Sequence, residues 1–206
     1  ITALAEDSTG RLWVGTNGAG AAWFDVAAGR FVADRRDGAA GGPQGAIGAL
    51  LGDPAGGLWI GSSYGIEHVD TAGARSDVLV FERDGAPAAA TLGFARDAQG
   101  RIWAATTRGL QRIDSAGARV ERIAGASIGQ ALAVFVDAQQ RVWAGNAEGL
   151  WRIEADGSAR LAWATDASAT AVRAIAQAAD HRLWLAVYGG GMAVFDPAND
   201  SAERMR

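Results

Sequence analysis

The chain contains no cysteine and no lysine. The first absence excludes disulfides, thiol nucleophiles and cysteine metal sites. It does not separate one compartment from another, because a large β-core holds together without cross-links. The second absence leaves arginine as the only strong cation. The 19 basic side chains stand against 23 acidic ones, for a net charge of -4. No basic stripe of the kind that grips a phosphate backbone is present, so nucleic acid is excluded as a partner. No apolar run reaches the roughly 18 residues of a spanning helix, so no membrane contact is expected within this chain.

Histidine is nearly absent as well. His68 and His181 are the only two, and they stand too far apart for a His-x-x-x-His metal pair. There is no Gly-x-Ser-x-Gly elbow. Glycine runs such as Gly41-Gly42 and Gly189-Gly190-Gly191 lack the lysine that a phosphate-cradling loop requires. No metal and no cofactor is expected. The chain begins at Ile1 without a signal-like segment, and it reads as a piece of something longer or a processed product.

What is present is a repeat. Arg11-Leu12-Trp13-Val14-Gly15-Thr16 recurs in kind around Trp59, Trp103, Trp143 and Trp184, so the tryptophans fall 40 to 46 residues apart. Six residues before the tryptophan stands Asp7, Asp53, Asp97 or Asp137. In the fifth repeat Ala178 takes that place, with Asp180 as a shifted substitute. After it come a glycine turn and an apolar stretch ending in Phe24-Asp25, Val69-Asp70, Ile113-Asp114, Ile153-Glu154 or Phe195-Asp196.

The apolar segments are too short for helices and are bounded by turn formers, so they read as strands. Asp-x-x-Gly, as in Asp7 to Gly10, signals a tight hairpin in which the carboxylate caps amides and glycine takes positive φ. Four strands per repeat follow, in the first at about 2–7, 11–16, 20–25 and 30–35. The fold class is therefore all-β: a β-propeller of five consecutive four-stranded antiparallel blades over 1–206, approximately 1–40, 47–84, 91–124, 128–165 and 172–206. Every repeat runs from a first strand to a fourth, with none left over to complete another blade. That favours an arc of a larger ring over a closed five-bladed ring.

The consensus tryptophan lies on the second strand, where its ring fills the wedge between neighbouring blades. All five are expected to be core. Trp23, Trp151 and Trp163 stand outside the consensus position, and one of them is a candidate to face solvent or a ligand.

Asp-x-x-Gly-Arg-Leu-Trp-Val-Gly-Thr, followed by a glycine and a strand ending in Phe-Asp, resembles the two-component regulator propeller repeat. The resemblance covers all five repeats and is clearest over Asp7–Asp25 and Asp97–Asp114. Gln140 and His181 replace the turn glycine in repeats four and five, which predicts looser turns there. The resemblance implies seven-bladed rings, often two in series. It also implies a place in the periplasmic sensor region of bacterial hybrid histidine kinases or diguanylate cyclases, some of which sense oligosaccharides.

The recognition surface expected from the repeat is the rim formed by the turns between second and third strands, together with the blade-to-blade loops. The turns offer Asn17, Tyr64, Arg108, Glu148 and Tyr188. Arg173, near the start of a first strand, points toward the channel mouth. The loops add Arg35, Arg36, Arg83 and Asp84. Tyrosine and arginine suit sugar stacking and carboxylate gripping. Three function classes follow. The first is a sensor that binds a small molecule or oligosaccharide without chemistry. The second is a protein scaffold, with further blades or domains of the same chain among its partners. The third is a propeller lyase or hydrolase with a carboxylate pair assembled across blades.

Overall fold

The structure, a computed structural model, describes residues 1–33, 45–70, 75–80, 89–114, 119–123, 128–165 and 171–205, with 33 and 75–80 as backbone. Its named elements are all strands. Blade 1 comprises β1 (Ala3–Glu6), β2 (Leu12–Gly15), β3 (Ala21–Asp25) and β4 (Arg30–Ala33). Blade 2 comprises β5 (Ile47–Gly52), β6 (Leu58–Ser62), β7 (Gly65–Val69) and β8 (Arg75–Val80). Blade 3 comprises β9 (Thr91–Arg96), β10 (Ile102–Thr106), β11 (Gly109–Ile113) and β12 (Val120–Ile123). Blade 4 comprises β13 (Ala133–Val136), β14 (Val142–Gly145), β15 (Gly149–Ile153) and β16 (Ala159–Ala164). Blade 5 comprises β17 (Ala171–Gln177), β18 (Leu183–Tyr188), β19 (Gly191–Asp196) and β20 (Ser201–Met205).

Each sheet is antiparallel, hydrogen-bonded in chain order and open at both edges. The five four-stranded blades read from the repeat are present. No helix over ten residues occurs among the described residues, and none is long and apolar enough to cross a membrane. The chain divides into two compact units, Ile1–Gly93 and Phe94–Arg206.

Strand alternation puts each consensus tryptophan on one face of its blade and the preceding residue on the other. Where two blades meet within a unit, these faces interlock. In the first unit Trp13 packs on Ile47, Leu58 and Ile60 of blade 2. In the second, Trp103 packs with Val134, Val142 and Ile153 of blade 4. Trp143 meets Leu183, Leu185 and Phe195 of blade 5, edge-on to the phenyl ring at 5.5 Å between centroids. Backbone bonds fasten the same junctions: Ile47 N–H donates to Thr16 O (2.9 Å), Ala131 to Thr106 O (3.0 Å) and Val172 to Asn146 O (2.9 Å). The approach is close enough to require glycine. A Cβ on Gly145 would lie 2.6 Å from the Val172 carbonyl oxygen, and one on Gly15 would lie 2.6 Å from the Ile47 side chain.

Trp13, Trp59, Trp103 and Trp143 are at most 3% exposed, as the wedge position demands. Trp184 departs from the expectation and is only half-buried. It belongs to blade 5, the last of the described blades. None of the three off-consensus tryptophans is fully exposed. Trp23, Trp151 and Trp163 are half-buried against the blade clusters. The Arg11 guanidinium sits 5.6 Å from the Trp23 ring, that of Arg204 sits 6.0 Å from Trp163, and Trp151 Nε1 donates to Asn146 Oδ1 at 3.0 Å.

Nor are the turns at Gln140 and His181 loosened. Both residues adopt the left-handed conformation of the glycine they replace, with φ of 63° and 67°. Both close the same bond, Gln140 N–H to Asp137 O (2.8 Å) and His181 N–H to Ala178 O (3.0 Å). Gln140 also gains a partner no glycine could have, since its Oε1 accepts from Ala98 N of blade 3 at 2.7 Å.

Candidate ligand-binding rim

The second-to-third-strand turns share a construction. In blades 1 to 4 the residue three places after the tryptophan caps its own turn. Thr106 Oγ1 donates to Gly109 O (2.7 Å) and accepts from Arg108 N–H (3.1 Å). Ser62 accepts from Tyr64 N–H (3.1 Å) and Thr16 from Ala19 N–H (3.0 Å). Asn146 Oδ1 accepts from Glu148 N–H (2.8 Å) and Gly149 N–H (3.0 Å). In blade 5, Val187 has no such group, and a backbone bond from Gly190 N–H to Val187 O (3.0 Å) closes the turn. Asn17, Tyr64, Arg108, Glu148 and Tyr188 are all exposed on these turns.

In the first unit Asn17 and Tyr64 flank one segment. Asn17 forms a backbone bridge with Ala46, and the Ala46 carbonyl accepts from Ser63 N–H at 3.1 Å. Gly45 packs so closely on Tyr64 that a Cβ there would lie 2.7 Å from the phenol ring. In the second unit Arg173 and Tyr188 meet, with the guanidinium 5.2 Å from the ring centroid and the tyrosine 65% exposed. A β-bulge produces this contact. The β17–β18 register jumps from Val172↔Val187 to Ala174↔Ala186, which leaves Arg173 as the extra residue. A bulged residue is re-aimed relative to the alternation of its strand. Arg108 and Glu148 occupy the turns of blades 3 and 4, where Thr165 braces Glu148 by donating its N–H to the Glu148 carbonyl at 2.8 Å. Arg35, Arg36, Arg83 and Asp84 lie outside the described residues.

At the other end of each blade the polar groups are consumed by the fold. Asp7 Oδ1 accepts from the amides of Thr9 (2.9 Å) and Arg11 (3.1 Å), while Oδ2 accepts from Arg11 Nε (2.9 Å) and Trp13 Nε1 (2.8 Å). Asp97 and Asp137 repeat this set, their Oδ2 atoms 2.9 and 2.8 Å from the Trp103 and Trp143 indole nitrogens. Burial opposes ionisation of Asp7, but hydrogen bonds from Thr9, Trp13 and Arg11 outweigh it and hold the carboxyl at about 2. Asp97 is shifted in the same direction, with burial again opposed by bonds from Trp103 and Arg101.

Blade 2 has Gly57 where the others have arginine, and His68 fills the vacancy from the third strand. Its Nε2 lies 2.9 Å from Asp53 Oδ2, and its ring packs 4.7 Å from that of Trp59. The partnership was hidden in the sequence by a separation of 15 residues, though the missing arginine was a signal for it. Asp180 does not substitute for the absent aspartate of blade 5. It is exposed and holds its own turn, accepting from Arg182 N–H (3.1 Å) and Nε (2.7 Å).

Between the first strands of blades 1 and 2 lies an open groove of about 480 Å³, lined by Leu4, Glu6, Leu50, Leu51 and the Asp7 and Asp53 turns. Both aspartates are already bonded to indole nitrogens. Among the described residues no three His, Asp or Glu side chains gather as a metal site would require.

A family model described as the two component regulator propeller matches residues 1–18, which hold the first Asp-to-Trp motif. No curated protein matches the chain in sequence. Among solved structures, the chain resembles the extracellular domain of a protein assigned as a hybrid two component system in B. thetaiotaomicron. The TM-score is 0.77 at 21% identity, over 100% of this chain and 28% of that one. It also resembles PorZ, a surface component of the type-IX secretion system of Porphyromonas gingivalis, with a TM-score of 0.74 at 18% identity, over 98% and 33%. A third is virginiamycin B lyase from Staphylococcus aureus, with a TM-score of 0.75 at 13% identity, over 100% and 69%. The chain thus spans about a third or less of the sensor and secretion proteins it resembles. At these identities the likeness is one of propeller fold, shared by sensors and enzymes alike, and distantly of sensor-type propeller repeats.

Proposed function

We propose that this chain is the recognition part of a bacterial sensor on the extracytoplasmic, periplasmic side of the envelope. It binds a small molecule on the rim of second-to-third-strand turns and performs no chemistry on it. One observation carries the reading: the bulge that sets Arg173 over the exposed ring of Tyr188. An exposed tyrosine offers a flat apolar face of the kind a sugar ring stacks upon, and the adjacent guanidinium offers several donors for hydroxyl or carboxylate oxygens. A saccharide is therefore the favoured ligand class. The cation–π contact restrains both side chains before any ligand arrives, which lowers the ordering cost of binding. The resemblance to sensor extracellular domains supports the same location and role.

The case against catalysis rests on the carboxylates of the motif. Those of Asp7, Asp53, Asp97 and Asp137 are each held by an indole N–H. An acid or nucleophile needs a carboxylate free to meet substrate.

The test is calorimetric titration of the chain with a panel of neutral and uronic-acid oligosaccharides. It is repeated with Tyr188→Ala, Arg173→Ala, Tyr64→Ala and Arg108→Ala, each shown to melt like the wild type. A binder from the panel should lose about 1–3 kcal/mol with Tyr188→Ala or Arg173→Ala and be recovered unaltered. Undiminished binding by all four variants would move the site elsewhere, and conversion of the saccharide would make the chain an enzyme.

A further inference from the structure

The two rim tyrosines are the only tyrosines in the chain, and they are held in different ways. Tyr188 meets the guanidinium of Arg173. Tyr64 is held by backbone instead, on blade 2, which is preceded and followed by other blades in the chain. Ser62 Oγ accepts from Tyr64 N–H at 3.1 Å and donates to Gly65 O at 3.4 Å, which fixes the turn that carries the ring. The connection from blade 1 then closes on that turn. Thr16 O accepts from Ile47 N–H (2.9 Å), Asn17 bridges Ala46, and Ala46 O accepts from Ser63 N–H (3.1 Å). Residues 45 and 46 are thereby pinned between the turns of blades 1 and 2.

Gly45 is the residue these bonds set against Tyr64. A Cβ at this position would lie 2.7 Å from Cε2 of the ring, 3.2 Å from Cδ2 and 2.5 Å from Ser63 Oγ. Its φ of 122° is one that L side chains rarely adopt. Steric room and backbone conformation both call for glycine. The result is a ring backed by main chain along one side and still 49% exposed. A tyrosine on an unbraced turn has to be ordered by its ligand, whereas this one is ordered beforehand. Of the described residues that bond or pack around the turn, Asn17, Gly45, Ala46, Ser62 and Ser63, none carries a charge.

We propose that Gly45 is a positioning residue of the rim and holds Tyr64 as a stacking platform for an uncharged sugar ring. The proposal rests on the reading of the rim as a saccharide site and adds a second subsite to it, with a chemistry of its own. At Tyr188 the adjacent guanidinium can meet a carboxylate; at Tyr64 the flanking groups are an amide and a hydroxyl. A sugar ring presents an apolar face of C–H groups to the phenol ring. Its hydroxyls both donate and accept, which suits the Asn17 amide and the Ser63 hydroxyl. A carboxylate placed there would give up water without gaining a cation, which is costly.

The test is titration of the chain with neutral cellotetraose, xylotetraose and mannotetraose and with acidic trigalacturonate, read by calorimetry and by NMR of the tyrosine rings. Tyr188→Phe leaves Tyr64 as the only tyrosine, so its ring signals are identified directly. A neutral probe should shift them. Tyr64→Ala should weaken that probe at least about tenfold, and Tyr64→Phe less than about threefold. Arg173→Ala should leave it unchanged. Gly45→Ala should weaken it too, but add nothing in a Tyr64→Ala background, because it acts through the ring. A purely structural role would lower affinity in both backgrounds and overturn the proposal. If Gly45→Ala misfolds, an Overhauser contact between Gly45 Hα and the Tyr64 ring, kept with and without sugar, takes its place, and absence of that contact would overturn the positioning role. A neutral probe that leaves the Tyr64 signals unmoved, or binds Tyr64→Ala as well as wild type, overturns the proposal while leaving the Arg173–Tyr188 reading intact. Binding of trigalacturonate alone does the same. Binding of no probe at all overturns both.

Discussion

Replacing Asp137 by alanine probes the group on which the repeat rests. The carboxylate is 1% exposed and accepts four bonds: from the amides of Gln139 (3.0 Å) and Arg141 (2.8 Å), from Arg141 Nε (2.6 Å), and from Trp143 Nε1 (2.8 Å). The arginine can turn to water, since its side chain is 24% exposed. The indole cannot, because Trp143 is fully buried against blade 5. An orphaned buried N–H costs about 1–3 kcal/mol, and bonds to a charged acceptor about 1.5–3 kcal/mol. The effects are not additive, so a total of about 3–5 kcal/mol is expected, in the range for breaking a buried ion pair. Asp180→Ala is the internal control, because that carboxylate is about half exposed and serves only its own turn. Its loss should cost less than about 1 kcal/mol. Urea unfolding followed by circular dichroism separates the two. With a slope of about 1–3 kcal/mol per molar, Asp137→Ala should lower the midpoint by about 1 M or more, and Asp180→Ala should barely move it. Equal midpoints at equal slopes would refute the claim that indole capture by the aspartate is what the motif does.

Trp103→Ala should cost about 3–5 kcal/mol, whereas Trp184→Ala, at a half-buried ring, should cost less than half of that; denaturation midpoints of the two variants check the order. Acid should destabilise the chain in a defined window. The folded Asp7 carboxyl is held at about 2 against an ordinary 3.8, so its contribution, about 2 kcal/mol, is fully present above pH 4 and is lost as pH falls toward 2. Asp97, lowered in the same sense, adds to the loss. Urea midpoints measured between pH 5 and pH 2 should fall more steeply for wild type than for Asp7→Asn.

The blades and their turns were legible because they depend on local chemistry. A strand-length apolar run, an aspartate three residues before a glycine and a tryptophan at constant spacing each act within about ten residues. What escaped were effects that depend on which blade lies next door. Trp184 keeps the spacing and the Arg-x-Trp of the consensus, yet it is half-buried while Trp143 is fully buried against blade 5. His68 replaces an arginine from another strand, and the exchange is visible only once β6 and β7 pair Trp59 with His68. Gln140 and His181 keep a glycine-type turn because the surrounding hairpin outweighs their reluctance to take positive φ. The Arg173–Tyr188 pair depends on a one-residue bulge, and no periodicity announces a bulge before the register is known.

The two ends of a blade divide the work of folding and recognition, which constrains where specificity can reside. At the Asp-x-x-Gly end the Asp7, Asp97 and Asp137 carboxylates are fully engaged by amides, arginine and indole of their own repeat, so substitution there costs stability. At the opposite end the cap residue at Thr16, Ser62, Thr106 or Asn146 satisfies the turn backbone by itself. The residues beside it are then free to differ, and they do: asparagine, tyrosine, arginine and glutamate at Asn17, Tyr64, Arg108 and Glu148. A surface built this way can change its ligand without changing its fold. In blade 5 the cap position is Val187, which offers no side-chain acceptor, and the chain compensates with a backbone-closed turn and three consecutive glycines. The same blade bulges at Arg173 and presents the most exposed tyrosine of the rim. Blade 2 bulges at the equivalent place with Gly48 as the extra residue, so blade 5 is set apart by its uncapped turn and by the arginine it places on the bulge. Departures from an otherwise consistent pattern are expected where function has displaced the structural optimum. By that reasoning, restoring the regular pattern in blade 5 by Val187→Thr should stabilise the turn, while deleting Arg173 to remove the bulge should abolish ligand binding and leave the other four blades intact.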